Sequence, residues 1–160
     1  MTLNNMETVI SNALRRSIRL GEPEVVPRVT DLMHLLSTMK GKVEWNFAED
    51  HEEDRKIAEL IRDAIAIVFR RRCGSGVFAA FLQEFTAGQQ CEISEMTPAE
   101  AYRQIIERYP ALKKQVAALA AEETPGSAAA AVEFILEGLA ISGRLTKKIH
   151  ERRVSYGQGT

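Results

Sequence analysis

The sequence predicts an all-α fold, a compact bundle of about six or seven helices that spans residues 1–160 as a single domain. Three observations predict this class. Apolar residues recur at helical spacing in six segments. Signals that start or stop a helix lie between those segments. Strand-like alternation occurs only in KVEWNF at 42–47, where no second strand is evident to pair with it, so we expect a short extended connector there.

Six rows of apolar residues define the predicted helices. In chain order they lie at residues 6–13, 29–36, 57–68, 78–85, 102–109 and 132–139. Each row occupies one face of a helix and leaves charged residues on the other face, so the helices have to pack on one another to bury their apolar faces. Ile61 lies at the centre of the longest row, between Ile57 and Ile65, and is predicted to be a core residue.

Short motifs mark several helix boundaries. Lys40-Gly41 follows the second row and fits a helix C-terminus, with the glycine in the left-handed conformation. It does not complete a phosphate-binding loop, because that motif needs a glycine at position 36 and a hydroxyl at position 43, where this chain has leucine and valine. Thr97-Pro98-Ala99-Glu100 has the pattern of a capping box at a helix start.

Two pairs of charged residues occur at helical spacing in the predicted helices. Glu133 and Glu137 lie four residues apart on the last apolar helix, and Gly138 interrupts its apolar face. This pattern favours a close helix crossing at the glycine over a carboxylate site. Arg28 and Asp31, three residues apart, are expected to pair across the first turn of the second helix.

Composition bounds the class of protein. The 160 residues carry a net charge of −1, so the chain lacks the excess of positive charge that is typical of nucleic-acid-binding proteins. No apolar run approaches the roughly 20 residues that span a bilayer, and the start MTLNNMETV lacks the features of a signal peptide. Two cysteines are too few to form the disulfide framework of a small secreted protein. We therefore expect a cytoplasmic protein with reduced thiols and no membrane contact.

No pattern of reactive side chains predicts an enzyme acting alone. His34, His51 and His150 are isolated, so neither a metal site nor a resident cofactor is expected. Cys73 lies beside three arginines, where its thiol is expected to be somewhat acidic, although a structural role is favoured. The basic residues at 70–72 and 144–153 are interpreted as a helix-dipole complement and a solvated tail.

Four segments together resemble a known family. They are METVISNALRR (6–16), GEPEVVPRVTDLMHLLSTMKGKVEW (21–45), KIAELIRDAIAIVFR (56–70) and AVEFILEGLAISGRL (131–145). In this order they resemble the C-terminal helical region of bacterial magnesium-chelatase subunit I-like ATPases, a branch of the MoxR-type AAA+ proteins. By this resemblance, residues 1–40 correspond to the end of an AAA+ lid and residues 48–156 to a C-terminal helical bundle.

The resemblance implies a supporting role in a motor. Members of this family carry their nucleotide-binding motifs upstream of this region, and none of those motifs is present in this sequence. ATP and magnesium would then belong to a missing or partner AAA+ motor module, and a von Willebrand A-type protein is a further expected partner. An oligomer is compatible with this role.

The first helix supplies candidate residues for docking to the motor. It begins almost at Met1, so Leu3 and Met6 have no preceding element to cover them. Arg15, Arg16 and Arg28 are the prominent arginines of the resembling segments, and we include them as candidate docking residues without assigning any of them a sensor role.

Two other classes of function stay open. A free-standing helical adaptor would bind a protein through an apolar groove or patch. A helical nucleic-acid binder, which the charge balance does not favour, would need the basic residues at 144–153 and 70–72 to gather on one face.

Overall fold

The computed structural model describes residues 2–42, 50–74, 76–85, 89–151 and 153–158. Within these ranges the chain is mostly helical, but it also contains a three-stranded antiparallel sheet. The all-α prediction is therefore correct for the larger part of the fold and wrong for the sheet. The predicted extended connector, from residue 43 onward, lies outside the described residues.

The helices follow the predicted rows closely. They are α1 (Thr2–Leu20), α2 (Leu35–Met39), α3 (Asp50–Arg72), α4 (Ala79–Glu84), α5 (Tyr102–Arg108), α6 (Pro110–Leu119) and α7 (Pro125–Ile141). Two 3-10 helices, Val29–His34 and Ala99–Ala101, lead directly into α2 and α5. The apolar row at 29–36 is thus shared between a 3-10 helix and α2, and α6 is a helix that no row predicted.

The helix boundaries confirm one start or stop signal and correct another. α2 ends at Met39, and Gly41 has a φ of 70°, which confirms the predicted stop. The predicted capping box at 97–100 does not form, since the Thr97 hydroxyl accepts a hydrogen bond from the Ser94 N–H at 2.8 Å. Instead the N–H of Ala99 donates to Oε1 of Glu22 at 2.6 Å, so a side chain 77 residues away caps this helix start.

The sheet contains β1 (Gln90–Ser94), β2 (Thr146–His150) and β3 (Arg153–Gly157), with β3 in the centre. Cys91 of β1 lies opposite Tyr156 of β3, which in turn lies opposite Lys147 of β2. The segment interpreted as a solvated basic tail is therefore a hairpin that closes the sheet.

The core is built around α7. Val132, Ile135, Leu136 and Leu139 are all fully buried. α3 crosses α7 at Gly138, where the ring of Phe69 occupies the space that a Cβ atom would need. This contact confirms the close helix crossing predicted at the glycine.

Two of the apolar rows are only partly buried. On α3, Ile57 and Ile65 are buried and Ile61 is half-buried, while Leu60 and Val68 are 47% and 46% exposed. The prediction that Ile61 is a full core residue is therefore corrected. α1 shows the same division more strongly, because most of its large apolar side chains face away from the bundle.

Candidate functional site

One face of α1 is an exposed row of large apolar side chains. It comprises Leu3 (70% exposed), Met6 (56%), Ile10 (49%), Leu14 (46%) and Ile18 (72%), and we call it the α1 stripe. The spacing of three or four residues aligns these side chains along one side of a helix 19 residues long. The predicted docking residues Leu3 and Met6 thus belong to a larger apolar surface.

The opposite face of α1 is fixed to the chain that follows it by a buried ion pair. Nη1 of Arg16 lies 2.5 Å from both carboxylate oxygens of Asp31, and Nη2 donates to the carbonyl oxygen of Val26 at 2.7 Å. Arg16 is 2% exposed and Asp31 is 1% exposed. Arg16 therefore holds α1 in place, and its guanidinium is engaged within the described chain.

Arg28 is also internal. Its Nη2 donates to both oxygens of Glu22 at 3.0 and 3.2 Å, and its Nη1 donates to the carbonyl oxygen of Thr97 at 2.7 Å. The guanidinium lies over the ring of Tyr102, 5.3 Å from the ring centre. The predicted ion pair of Arg28 with Asp31 is replaced by a backbone contact, in which the N–H of Arg28 donates to Oδ2 of Asp31 at 2.8 Å.

Arg15 is the one arginine of the docking prediction whose side chain lies at the surface. Its Nη2 donates to Oδ1 of Asn12 at 2.5 Å and lies 3.9 Å from Glu95. The three arginines of the prediction are thus divided by the structure. Arg15 adjoins solvent on α1, whereas Arg16 joins α1 to Asp31 and Arg28 joins the segment after α1 to Thr97 and Tyr102.

Glu133 is a buried carboxylate that joins three elements. One oxygen accepts hydrogen bonds from the N–H and the hydroxyl of Thr30, each at 3.0 Å, and the other accepts from the Tyr102 hydroxyl at 2.5 Å. Burial raises the pKa of Glu133 and also raises the pKa of the Tyr102 hydroxyl. The carboxylate therefore ties the first 3-10 helix and α5 to α7.

Glu137, one turn later on α7, is held by the sheet. Both of its oxygens lie 2.8 Å from Nζ of Lys147, and the Tyr156 hydroxyl donates to one of them at 2.7 Å. Burial raises the pKa of Tyr156. Glu133 and Glu137 both line a small cavity of about 100 Å³. Each carboxylate, however, already accepts at least three hydrogen bonds from protein donors. The pair is better suited to holding elements together than to binding a ligand.

The two cysteines lie in the described part of the chain and form no hydrogen bond with these carboxylates. Cys73 and Cys91 are both buried and free, and burial raises the pKa of each thiol, to about 12 for Cys91. The expectation that the Cys73 thiol is somewhat acidic is therefore wrong, because burial outweighs the neighbouring arginines. Among the residues that the structure describes, no three His, Cys, Asp or Glu side chains gather as a metal site would require.

The comparisons give the chain no family. Searches against protein-family models, characterised proteins and solved structures yield no match. The resemblance to the magnesium-chelatase subunit I-like ATPases thus rests on the four sequence segments quoted above. None of the helices in the described ranges has the length and apolar composition needed to cross a membrane.

Proposed function

We propose that this chain is a non-catalytic helical module of a magnesium-chelatase/MoxR-like AAA+ ATPase, which supports ATP-dependent remodelling through protein–protein contacts. The observation that carries the proposal is the α1 stripe, whose five side chains are 46% to 72% exposed. Each of these side chains exposes an apolar area on the order of 100 Å². The stripe as a whole therefore approaches the size of the largest apolar patches on monomeric proteins, which are often functional.

The buried face of α1 supports this proposal because it prevents the stripe from turning inward. Rotating α1 to cover Ile10 and Leu14 would pull Arg16 away from Asp31. Separating a buried, hydrogen-bonded ion pair costs about 3–5 kcal/mol, because it leaves a charge without its partner. The helix is therefore held with its apolar side available to another protein.

The proposed occupant of the stripe is an AAA+ motor module, either upstream in the same protein or on a separate subunit. The resembling segments support this choice, since they include α1 itself. A von Willebrand A-type protein is the second proposed partner. ATP and magnesium would be held by the motor, because the family that the segments resemble carries its nucleotide-binding motifs there.

A nucleic-acid function is less well supported by the geometry. A helix that enters the major groove has to present basic or polar side chains to the bases and phosphates. α7 has no lysine or arginine in its sequence and is buried along most of its length. Lys147 of the following hairpin is paired with Glu137, which leaves that base engaged inside the chain.

A binding experiment with a matched control tests the proposal. The partner is a purified AAA+ core of the magnesium-chelatase subunit I-like class that lacks its own C-terminal helical region. The test variant carries Leu3→Gln and Met6→Gln, and the control variant carries Leu60→Gln and Val68→Gln, two comparably apolar and exposed positions on α3. We expect the test variant to bind roughly tenfold more weakly or worse, as expected when interface anchors are lost, and the control to bind as the wild type does.

Thermal unfolding of the same variants completes the test. Exposed positions contribute little to folding, so both variants should keep the melting temperature of the wild type within a few degrees. Loss of folding in the test variant would show that the stripe is part of the core. Equal binding by all three chains, or no binding by the wild type, would reject the motor as the occupant and leave the adaptor function as the better account.

A further inference from the structure

A second apolar surface is concave and shares no residue with the α1 stripe. It is a groove of about 690 Å³ between α5, α6 and the start of α7, and we call it the α5–α7 groove. Its apolar lining combines Ile106 and Val116 with the small side chains of Ala99, Ala117, Ala120, Ala121 and Ala128. A smaller recess of about 300 Å³ adjoins it and shares Ala99, Glu100 and Pro125, so the concave surface continues toward the end of α1 at Leu20.

The local sequence explains why this surface is concave. Pro110 starts α6 and Pro125 starts α7, which fixes the two helices on either side of a short connection. Ala117, Ala120 and Ala121 at the end of α6 and Ala128 on α7 line this space, and their side chains are too short to fill it. The groove therefore has room for the larger apolar side chains of another molecule, and its volume is within the usual range for binding sites.

The charges around the groove are mostly negative. Glu107, Glu122 and Glu123 lie along its edge, with Lys113 as the opposing base. Glu100 and Arg103 also line the groove, but they form an ion pair at 2.8 Å and largely cancel each other. An occupant with positive charges beside an apolar face would complement both features of this surface.

We propose that the α5–α7 groove binds a basic amphipathic helix of a partner protein. Its large apolar side chains enter the groove above the alanines, as in other complexes in which a helix occupies an apolar groove. Lysine or arginine side chains beside that apolar face meet the glutamates at the edge. The proposal gives the chain a second binding surface, which does not depend on the motor proposed for the α1 stripe.

Two synthetic helical peptides test this proposal. Each has about 16 residues and the same leucine-rich apolar face, with lysines beside that face in one peptide and glutamates in the other. Fluorescence anisotropy measures the binding of each labelled peptide to the purified chain. We expect the lysine peptide to bind at least about tenfold more tightly than the glutamate peptide, with the difference shrinking as NaCl rises from about 50 mM to about 500 mM.

Variants of the chain locate the binding. Glu107→Lys with Glu122→Lys should reverse the preference between the two peptides, and Ala117→Trp should weaken both by filling the groove. Asp63→Lys with Glu92→Lys places the same charges at exposed positions outside the groove and should leave the preference unchanged. Circular dichroism of each variant shows whether it is folded, and the charge-reversed variants provide a result even if Ala117→Trp does not fold.

The outcomes separate the proposal from its alternatives. Binding of neither peptide would overturn the proposal, as would equal binding of both peptides by the wild-type chain. An unchanged preference in the Glu107→Lys and Glu122→Lys variant would place the binding elsewhere on the chain and would also overturn it. None of these results depends on whether the α1 stripe binds a AAA+ motor.

Discussion

Replacing Gly138 with alanine tests the central helix crossing of the fold. In an isolated helix this change would be favourable by about 1 kcal/mol, because alanine loses less backbone entropy than glycine. Here the added Cβ would overlap Cγ, Cδ2 and Cε2 of Phe69. Phe69 cannot withdraw easily, since it is 6% exposed and its ring stacks on that of Phe78 with centres 5.6 Å apart.

The magnitude follows from the competition between these two effects. Forcing an extra carbon into a packed interior typically costs about 1–3 kcal/mol, and an overlap with three ring atoms places this site at the upper end. After the gain in helix propensity of about 1 kcal/mol is subtracted, Gly138→Ala should lower the free energy of unfolding by about 2 kcal/mol. Urea denaturation followed by circular dichroism measures this difference.

A second background gives the matched control. Phe69→Ala removes the ring and should itself cost about 3–5 kcal/mol. In that background Gly138→Ala has nothing to overlap, so it should become neutral or stabilising by up to about 1 kcal/mol. A Gly138→Ala variant as stable as the wild type in the presence of Phe69 would refute the steric account of the crossing.

Two further predictions concern the buried charges. Burial raises the pKa of Glu133 in the folded chain, so its contribution to stability is fully present below the unfolded value of 4.5 and is lost as the pH rises through the folded pKa. The free energy of unfolding of the wild type should therefore fall relative to that of Glu133→Gln as the pH is raised above 4.5, and parallel pH profiles of the two proteins would contradict the shift. Arg16→Met should cost about 3–5 kcal/mol by leaving Asp31 buried without its partner, whereas Arg15→Met at the neighbouring exposed position should change stability by less than about 0.5 kcal/mol. Equal effects of the two arginine changes, measured by urea denaturation, would show that the buried ion pair contributes no more than a surface contact.

The helices were largely predictable because their signal is local. A row such as 132–139 shows its period within a few turns, and stop signals such as Lys40-Gly41 are read from adjacent residues. The close crossing at Gly138 was predictable for the same reason, since a glycine in an apolar helix face has few explanations. In contrast, α6 has only three large apolar residues at helical spacing, Leu112, Val116 and Leu119, among alanines and lysines, and this short row was not recognised.

The sheet was not predictable from local pattern. β2 reads TKKIH, which resembles a solvated basic segment, and its neighbour β3 pairs with β1, which precedes α5, α6 and α7 in the chain. Strands of five residues gain their stability from such distant pairing and from burial of one face. Sequence reasoning had no means of placing Cys91 opposite Tyr156.

The roles of the charged side chains were also set by tertiary structure. Arg16 and Arg28 could not be recognised as internal, because Asp31 lies 15 residues from Arg16 and Thr97 lies 69 residues from Arg28. Glu133 was noticed for its spacing from Glu137, but Thr30 lies 103 residues away from it. The signal that could have indicated a buried role is a carboxylate placed within the most apolar helix of the chain.

The central position of α7 has a consequence for synthesis on the ribosome. The apolar face of α3 is complete at Arg72, yet α7 begins only at Pro125. At roughly 5–20 residues per second, several seconds pass before the segment that covers this face has been made. During that time Phe69 and Phe81 of α4 depend on chaperones or on transient collapse to avoid aggregation, and a chain terminated before Pro125 would keep them exposed permanently.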